Sequence, residues 1–389
     1  MLDSSEYSER IARPFTPPVI TFSELNSAIP RELHAKSLTW ALCYILRDAM
    51  FSVVLYSLAN CIDTIVSPTV RMGLWGVYWF WQSIVWTGFW ILAHKAGHGN
   101  IFDNIQANAV LGFLLHTFLL IPYFAWQHMH MLHHKHTNSQ EREENYVPPT
   151  RSDLNLPEEH TATPTDYAEL LEQAPLYTLC RLMLIQLVGL QHYLLFNTMG
   201  SKAYPSGTNH FSPTSPLFRH QDSLLIVASN IGLVSMISML VYCTYAFSLQ
   251  SVVKFYFIPY VLVNHWIVML TYLHHSDPTI PHYSSGEWNW LRGALATIDQ
   301  LVLRCIGQFF FHNISHDHVA HHLFLNIPFY NTPHVTEVIK PLLKTHYNYD
   351  STNTFYALYR SFTQCQFVED HGGILFYRNR CGKALRAVA

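Results

Sequence analysis

Three short histidine clusters carry the chemistry that is legible in this chain. His318-Val319-Ala320-His321-His322 and His130-Met131-Leu132-His133-His134 share one H-x-x-H-H spacing, 188 residues apart, and His94-Lys95-Ala96-Gly97-His98 adds an H-x-x-x-H pair. On a helix, residues i, i+3 and i+4 lie on one face, so each cluster can present two or three imidazoles in one direction. Neutral imidazole binds iron, copper, nickel and zinc, and the eight rings of these clusters exceed what one ion can hold. Histidine is plentiful, 25 residues against 23 Lys and Arg together, so one such cluster could be an accident of composition. Two copies of one spacing beside a third pair point instead to a multinuclear metal site.

The elements that must position these rings are membrane helices. Hydrophobic residues make up 50% of the 389, aromatic residues 14% and charged residues only 13%, about half the charged share of soluble domains. So little charge cannot coat a large water-facing surface, and a net charge of -3 gives no reason to expect a nucleic-acid partner. The 7 cysteines are scattered without a C-x-x-C pair, which fits a reducing, cytosolic environment for the active groups. Residues Met1 to Ile29 hold no apolar run behind a basic start, so no cleavable signal is expected and internal spans must drive membrane entry.

Four spans are expected: Leu38 to Ile65, Gly73 to Ala93, Leu224 to Phe247 and Phe255 to Tyr272. Arg47-Asp48 near the start of the first could pair or snorkel at headgroup level. His94 begins where the second span ends. The apolar run Ala109 to Ala125 lies between two clusters, and if both feed one site it must dip and return rather than cross. Ser139 to Pro175 reads as loop. Leu176 to Asn197, interrupted by Arg181, Gln186, Gln191 and His192, reads as a helix in the membrane plane. Two hairpins then bring every cluster to one side, where most Lys and Arg also fall, making that side cytosolic. The fold class is therefore all-α integral membrane, with four transmembrane helices in two hairpins, interfacial helices and a cytosolic helical cap carrying the metal site. The division expected is a cytosolic segment 1–37, a membrane domain 38–354 and a cytosolic tail 355–389.

The three boxes and their order around paired spans resemble the membrane fatty-acyl desaturases, most of all the fungal and plant delta-12 (oleate) group. Phe15-Thr16-Pro17-Pro18, Asn209-His210-Phe211, Asn264-His265-Trp266, Pro278 to Tyr283, Trp290-Leu291-Arg292-Gly293-Ala294, His318 through Tyr330 and Gly373-Ile374-Leu375-Phe376 extend the resemblance over nearly the whole chain. It implies a di-iron centre held by His94, His98, His130, His133, His134, His318, His321 and His322, with His275, just after the fourth span, as a ninth ligand. His274, where close relatives carry glutamine, is a second choice. His128, His136, His312 and His316 lie outside the box spacing and read as groups behind the ligands or on the surface, and His116 as a hydrogen-bonded packing residue. The first box departs from the H-E/D-C-G-H of those relatives, because Lys95 and Ala96 replace the acidic residue and the cysteine. Lys95 is about 100° around the helix from His94 and so need not touch the metals. Asp103, Asn138, Asn313 and Asp317 are candidate acceptors for the outer ring N–H groups.

The activity implied is O2-dependent insertion of a cis double bond at delta-12 of an oleoyl chain borne on phospholipid or coenzyme A, in the endoplasmic-reticulum membrane. Electrons would come from separate cytochrome b5 and its NADH-dependent reductase, since no H-P-G-G heme-binding segment is present. An acetylenase, conjugase, hydroxylase or epoxygenase would use the same scaffold. A metal transporter or inactive histidine-rich binding protein is the reading from a different class, although it would place ionisable groups inside the spans rather than just beyond them.

Overall fold

The computed structural model describes residues 2–171 and 174–389. Its frame is α1 (Leu38–Ala59), α2 (Pro68–Gly97), α3 (Ile105–Phe118), α4 (Tyr123–His136), α5 (Pro175–Phe196), α6 (Ser223–Ala246) and α7 (Ile258–His275). Each start has a local cause. Ser37, Ser67 and Asn104 accept from the backbone N–H three residues on, and Pro68 and Pro175 supply the preset φ of a first helical turn. Pro259 cannot donate to the helical ladder, and just before it the chain takes a π turn over Val253–Phe257.

Side chains at the two hairpin turns fix the topology. Asp63, after α1, pairs with Lys254, before α7, at 2.8 Å, and Trp75 Nε1 donates to the same carboxylate at 3.0 Å. Trp79 Nε1 donates to the Lys254 carbonyl at 2.9 Å, and the Tyr78 hydroxyl to that of Phe255 at 3.1 Å. Both turns therefore sit at one end of the bundle, with the histidine clusters at the other. From Trp75 to His94 α2 rises about 28 Å, and from Lys254 to His275 the last helix rises about 31 Å, each close to the ~30 Å hydrocarbon thickness. Between the ends, Ser52 of α1 accepts from Gln82 (2.7 Å) and Trp86 (2.9 Å) of α2, while Trp266 of α7 donates to Ser83 at 3.0 Å. These bonds answer polar groups that lipid could not.

By length and apolarity alone, Leu38–Thr64, Pro175–Phe196, His220–Ala246 and Leu249–His275 could each cross a membrane. α2 falls outside that set because its Trp and Tyr residues are less apolar than aliphatic ones, and its two ends identify it as a crossing helix. α5 falls inside the set, yet both its ends are held at the histidine end. Thr178 accepts from Arg380 at 3.0 Å and Arg181 lies over the Phe362 ring, while Tyr193 donates to Asn145 at 2.6 Å. Composition admits α5 as a span; its ends are held by the cap, while its length packs on α7, where Gln191 donates to Asn264 at 3.2 Å and to the Tyr260 hydroxyl. α3 and α4 form a pair bent by 110° at Leu119–Pro122, where Leu120 adopts φ +53. Since His98 before the pair and His130 within it meet, the pair dips and returns as the sequence suggests. The chain is a multi-pass membrane protein with α1, α2, α6 and α7 as its crossing helices.

The cap contains short helices, among them α8 (Trp290–Leu295), α9 (His318–Leu323) and α10 (Thr354–Gln364), and two minimal strand pairs, His282–Tyr283 with Ile374–Leu375 and Asp299–Gln300 with Tyr349–Asp350. The polar lead-in is more ordered than its composition suggests. Its helices Ser5–Ala12 and Phe22–Ala28 are capped by Ser4 and by a Thr21/Glu24 capping box. Arg360 of α10 binds Asp350 and Asp3 and lies over the Tyr7 ring at 3.4 Å, fastening that lead-in to the cap.

Candidate metal centre

All nine predicted histidines meet at the closed end of the bundle, and they form two adjoining groups. In the first, the donor nitrogens of His94, His98, His130, His134 and His321 all lie within 4.8 Å of one another, and those of His133, His275 and His322 do the same in the second. His318 Nε2 joins the second group, 3.1 Å from His275 Nε2. The groups abut through the His134 and His322 rings, whose centroids are 4.1 Å apart.

Hydrogen bonding cannot account for this convergence. His130 Nε2 lies 2.7 Å from His94 Nε2, 3.1 Å from His98 Nε2 and 3.0 Å from His134 Nε2. One nitrogen of a neutral imidazole is either a single donor or a single acceptor, so three such bonds are impossible at once. A metal–nitrogen bond of about 2.1 Å, by contrast, sets neighbouring ligand nitrogens about 3 Å apart. Nε2 of His133, His321 and His322 has no hydrogen-bond partner at all. Burial, the largest influence, holds His318, His321 and His322 well below the ordinary imidazole value and keeps them in the neutral, ligating form. The donor set fits metal ions.

Each element delivers its rings for a local reason. α9 starts where the Val319 N–H donates to buried Asp299 at 2.7 Å, and the Tyr347 hydroxyl holds the other carboxylate oxygen. α8 presses on the end of α4 because Gly293 has no side chain; a Cβ there would lie 2.3 Å from the Thr137 carbonyl. Trp90 stacks on His94 at 5.5 Å and Trp126 on His130 at 4.6 Å, so aromatic faces hold two rings of the first group.

The groups behind the rings differ from the sequence-based expectation. Asp103 is exposed and pairs with Lys36, and Asn313 contributes only backbone bonds. Asn138 sends its side chain to the Ala296 carbonyl, and the Asp317 carboxyl, pushed up to about 6 chiefly by burial, makes no hydrogen bond to any of the nine rings. The partners found are Glu143, 2.9 Å from His133 Nδ1, Lys95, 3.1 Å from His321 Nδ1, and Thr137, 3.5 Å from His322 Nδ1. Glu143 lies in a loop without periodicity, where no spacing marks it. Lys95 does point away from His94, as its helical angle requires, but its long stem reaches a ring from the third box.

The other histidines also find places. His274 stacks on His318 at 3.8 Å without entering either group. His128 pairs with Asp222 at 3.6 Å, His136 is half-buried beside Trp288, and His316 meets the Ser315 hydroxyl at 3.0 Å. His312 belongs to neither predicted kind: it forms a buried cluster with Asp48 and Arg47. His116 packs against Trp126 as expected, but neither of its ring nitrogens has a hydrogen-bond partner.

Comparison with known proteins agrees with this geometry. A family profile described as fatty acid desaturase matches residues 73–353. A delta(12) fatty acid desaturase of Mortierella isabellina is 38% identical over 93% of this chain and 91% of its own length. An oleate hydroxylase of Claviceps purpurea is 36% identical over 94% of this chain and 82% of its own length. An omega-6 fatty acid desaturase of Brassica juncea, named for the endoplasmic reticulum, is 35% identical over 94% and 93%.

Proposed function

The chain belongs to the fatty acid desaturase family, and from that premise we propose that it inserts a cis double bond at delta-12 of an oleoyl chain to give linoleoyl. The observation that carries this reading is the pair of adjoining imidazole groups at the end of a membrane bundle. Five rings (His94, His98, His130, His134, His321) would hold one iron and four (His133, His275, His318, His322) the other. A bound iron pair supplies, with O2, the oxidising power that no side chain has. The balance is one O2, two electrons and two protons consumed per –CH2–CH2– unit, giving –CH=CH– and two waters.

The protein's own part is placement. α2 and α7 would bring a lipid-borne acyl chain from the bilayer to the rings, and the cap excludes bulk water from them. Positioning matters because a displacement of about 1 Å can cost roughly 100-fold in rate. We assign the centre to the cytosolic face of the endoplasmic reticulum, with cytochrome b5 and its NADH-dependent reductase as electron donors.

A second reading keeps the centre and changes the outcome. Hydroxylation uses the same O2, electrons and protons but retains one oxygen as C–OH and releases one water. The hydroxylase among the relatives and the Lys95 departure favour including it in the test. Gas chromatography–mass spectrometry of lipids from yeast expressing the chain separates the products. Linoleate is expected; a hydroxylated or triple-bonded acid without linoleate replaces the first reading with the second.

A further inference from the structure

The two imidazole groups have opposite surroundings. Glu143 is the one carboxylate, among the described residues, that contacts any of the nine rings, and it contacts His133 of the four-histidine group. It is held rigidly. Besides the ring N–H, its oxygens accept the backbone N–H groups of Asn138 at 2.8 Å, Glu144 at 2.9 Å and Asn145 at 3.0 Å. The same loop lays Tyr146 over the His275 ring, with centroids 5.3 Å apart. Around the five-histidine group the only group, among the described residues, bonded to a ring from behind is the Lys95 nitrogen on His321, which brings no negative charge.

We propose that Glu143 is a positioning residue that makes the four-histidine position the tighter of the two, so that the two metal ions bind in sequence, that position first. This rests on the metal-centre reading above. A carboxylate behind a ligating imidazole fixes the proton on Nδ1, frees Nε2 for the metal and makes the ring a stronger donor; removing such a partner typically lowers metal affinity about 10–100-fold. Glu143 also puts one negative charge beside a dication that is otherwise surrounded by neutral rings. The five-histidine position has one more ring but lacks this charge.

The test uses the full chain in detergent micelles, stripped of metal and titrated anaerobically with iron(II), with bound metal measured by equilibrium dialysis and elemental analysis. Wild-type protein is expected to bind two ions in two resolvable steps. Glu143→Gln, which keeps the shape and removes the charge, should weaken the first step about 10–100-fold and leave the second nearly unchanged. Lys95→Glu, which places a carboxylate opposite His321, should tighten the second step several-fold and draw the two together. Two steps of equal affinity in wild type, or a Glu143→Gln profile that matches wild type, would overturn the inference while leaving the metal centre standing. No iron bound by wild type would instead sink the metal-centre reading itself. If Glu143→Gln fails to fold, His98→Ala and His275→Ala decide: loss of the weak step by the first and of the tight step by the second supports the order proposed, and the reverse refutes it.

Discussion

His312 and His322 are equally buried, yet they belong to opposite kinds of cluster. Around His312 every charge is answered. Asp48 takes Arg47 on one oxygen at 2.7 Å and His312 Nε2 on the other at 2.8 Å, while Arg47 also reaches His312 Nδ1 at 3.3 Å. Arg47 is further sandwiched over the Phe309 and Tyr44 rings, at 4.2 and 4.9 Å. This cluster is closed, and it has no need of an ion. Around His322 the outer nitrogens have partners, but the inward Nε2 atoms of His322 and His133 have none. A buried imidazole is therefore no sign of a metal by itself; the sign is several of them aimed at one unanswered point.

The largest effect expected from breaking the contrast is at the open cluster. His321→Ala should abolish the fatty-acid product and lower bound iron, with the protein still in the membrane fraction; gas chromatography and elemental analysis on the same preparation check both. The matching change at the closed cluster, Asp48→Ala, leaves Arg47 and His312 without their partner and should cost about 3–5 kcal/mol of stability. Metal bound per folded chain should not change, so a thermal melt and a metal assay together separate the two kinds of cluster. A milder strain comes from Gly88→Ala, whose Cβ would lie 2.8 Å from the Phe310 carbonyl and 2.9 Å from Asp48. Such overpacking should cost about 1–3 kcal/mol by the same melt.

Acidity sharpens the comparison from the side of the open cluster. His318, His321 and His322 are held below their ordinary value when folded, so below about pH 6.5 the unfolded chain binds more protons than the folded one. Stability of the metal-free protein should thus be full above that value and fall as pH is lowered through it; a melting temperature unchanged between pH 7.5 and 5.5 would contradict this. The smallest effect is expected at His316, which contacts Ser315 and neither group of rings. His316→Ala should retain most of the activity, measured as the fatty-acid product that the unaltered chain forms in yeast.

What the sequence made legible follows from how each signal arises. The nine rings could be found because box spacing is a property of one helix turn and, for His275, because the resemblance reached it. Crossing helices could be found where aliphatic runs are long. Apolarity alone does not place α5, because it measures burial of any kind; Arg380, Phe362 and Asn145 hold its ends and α7 covers its length. Glu143 and Lys95 lay beyond reach for a different reason. Their partners depend on a loop that folds back and on a contact between residues 226 apart, neither of which leaves a period in the chain. Arg47-Asp48 was visible as a charged pair in an apolar run, but its third member, His312, stands 264 positions from Asp48.

The Asp63–Lys254 pair lies at the end of the bundle opposite the two imidazole groups. It joins the two hairpins through groups present in the chain as synthesised, so this one contact between them asks for no bound ion.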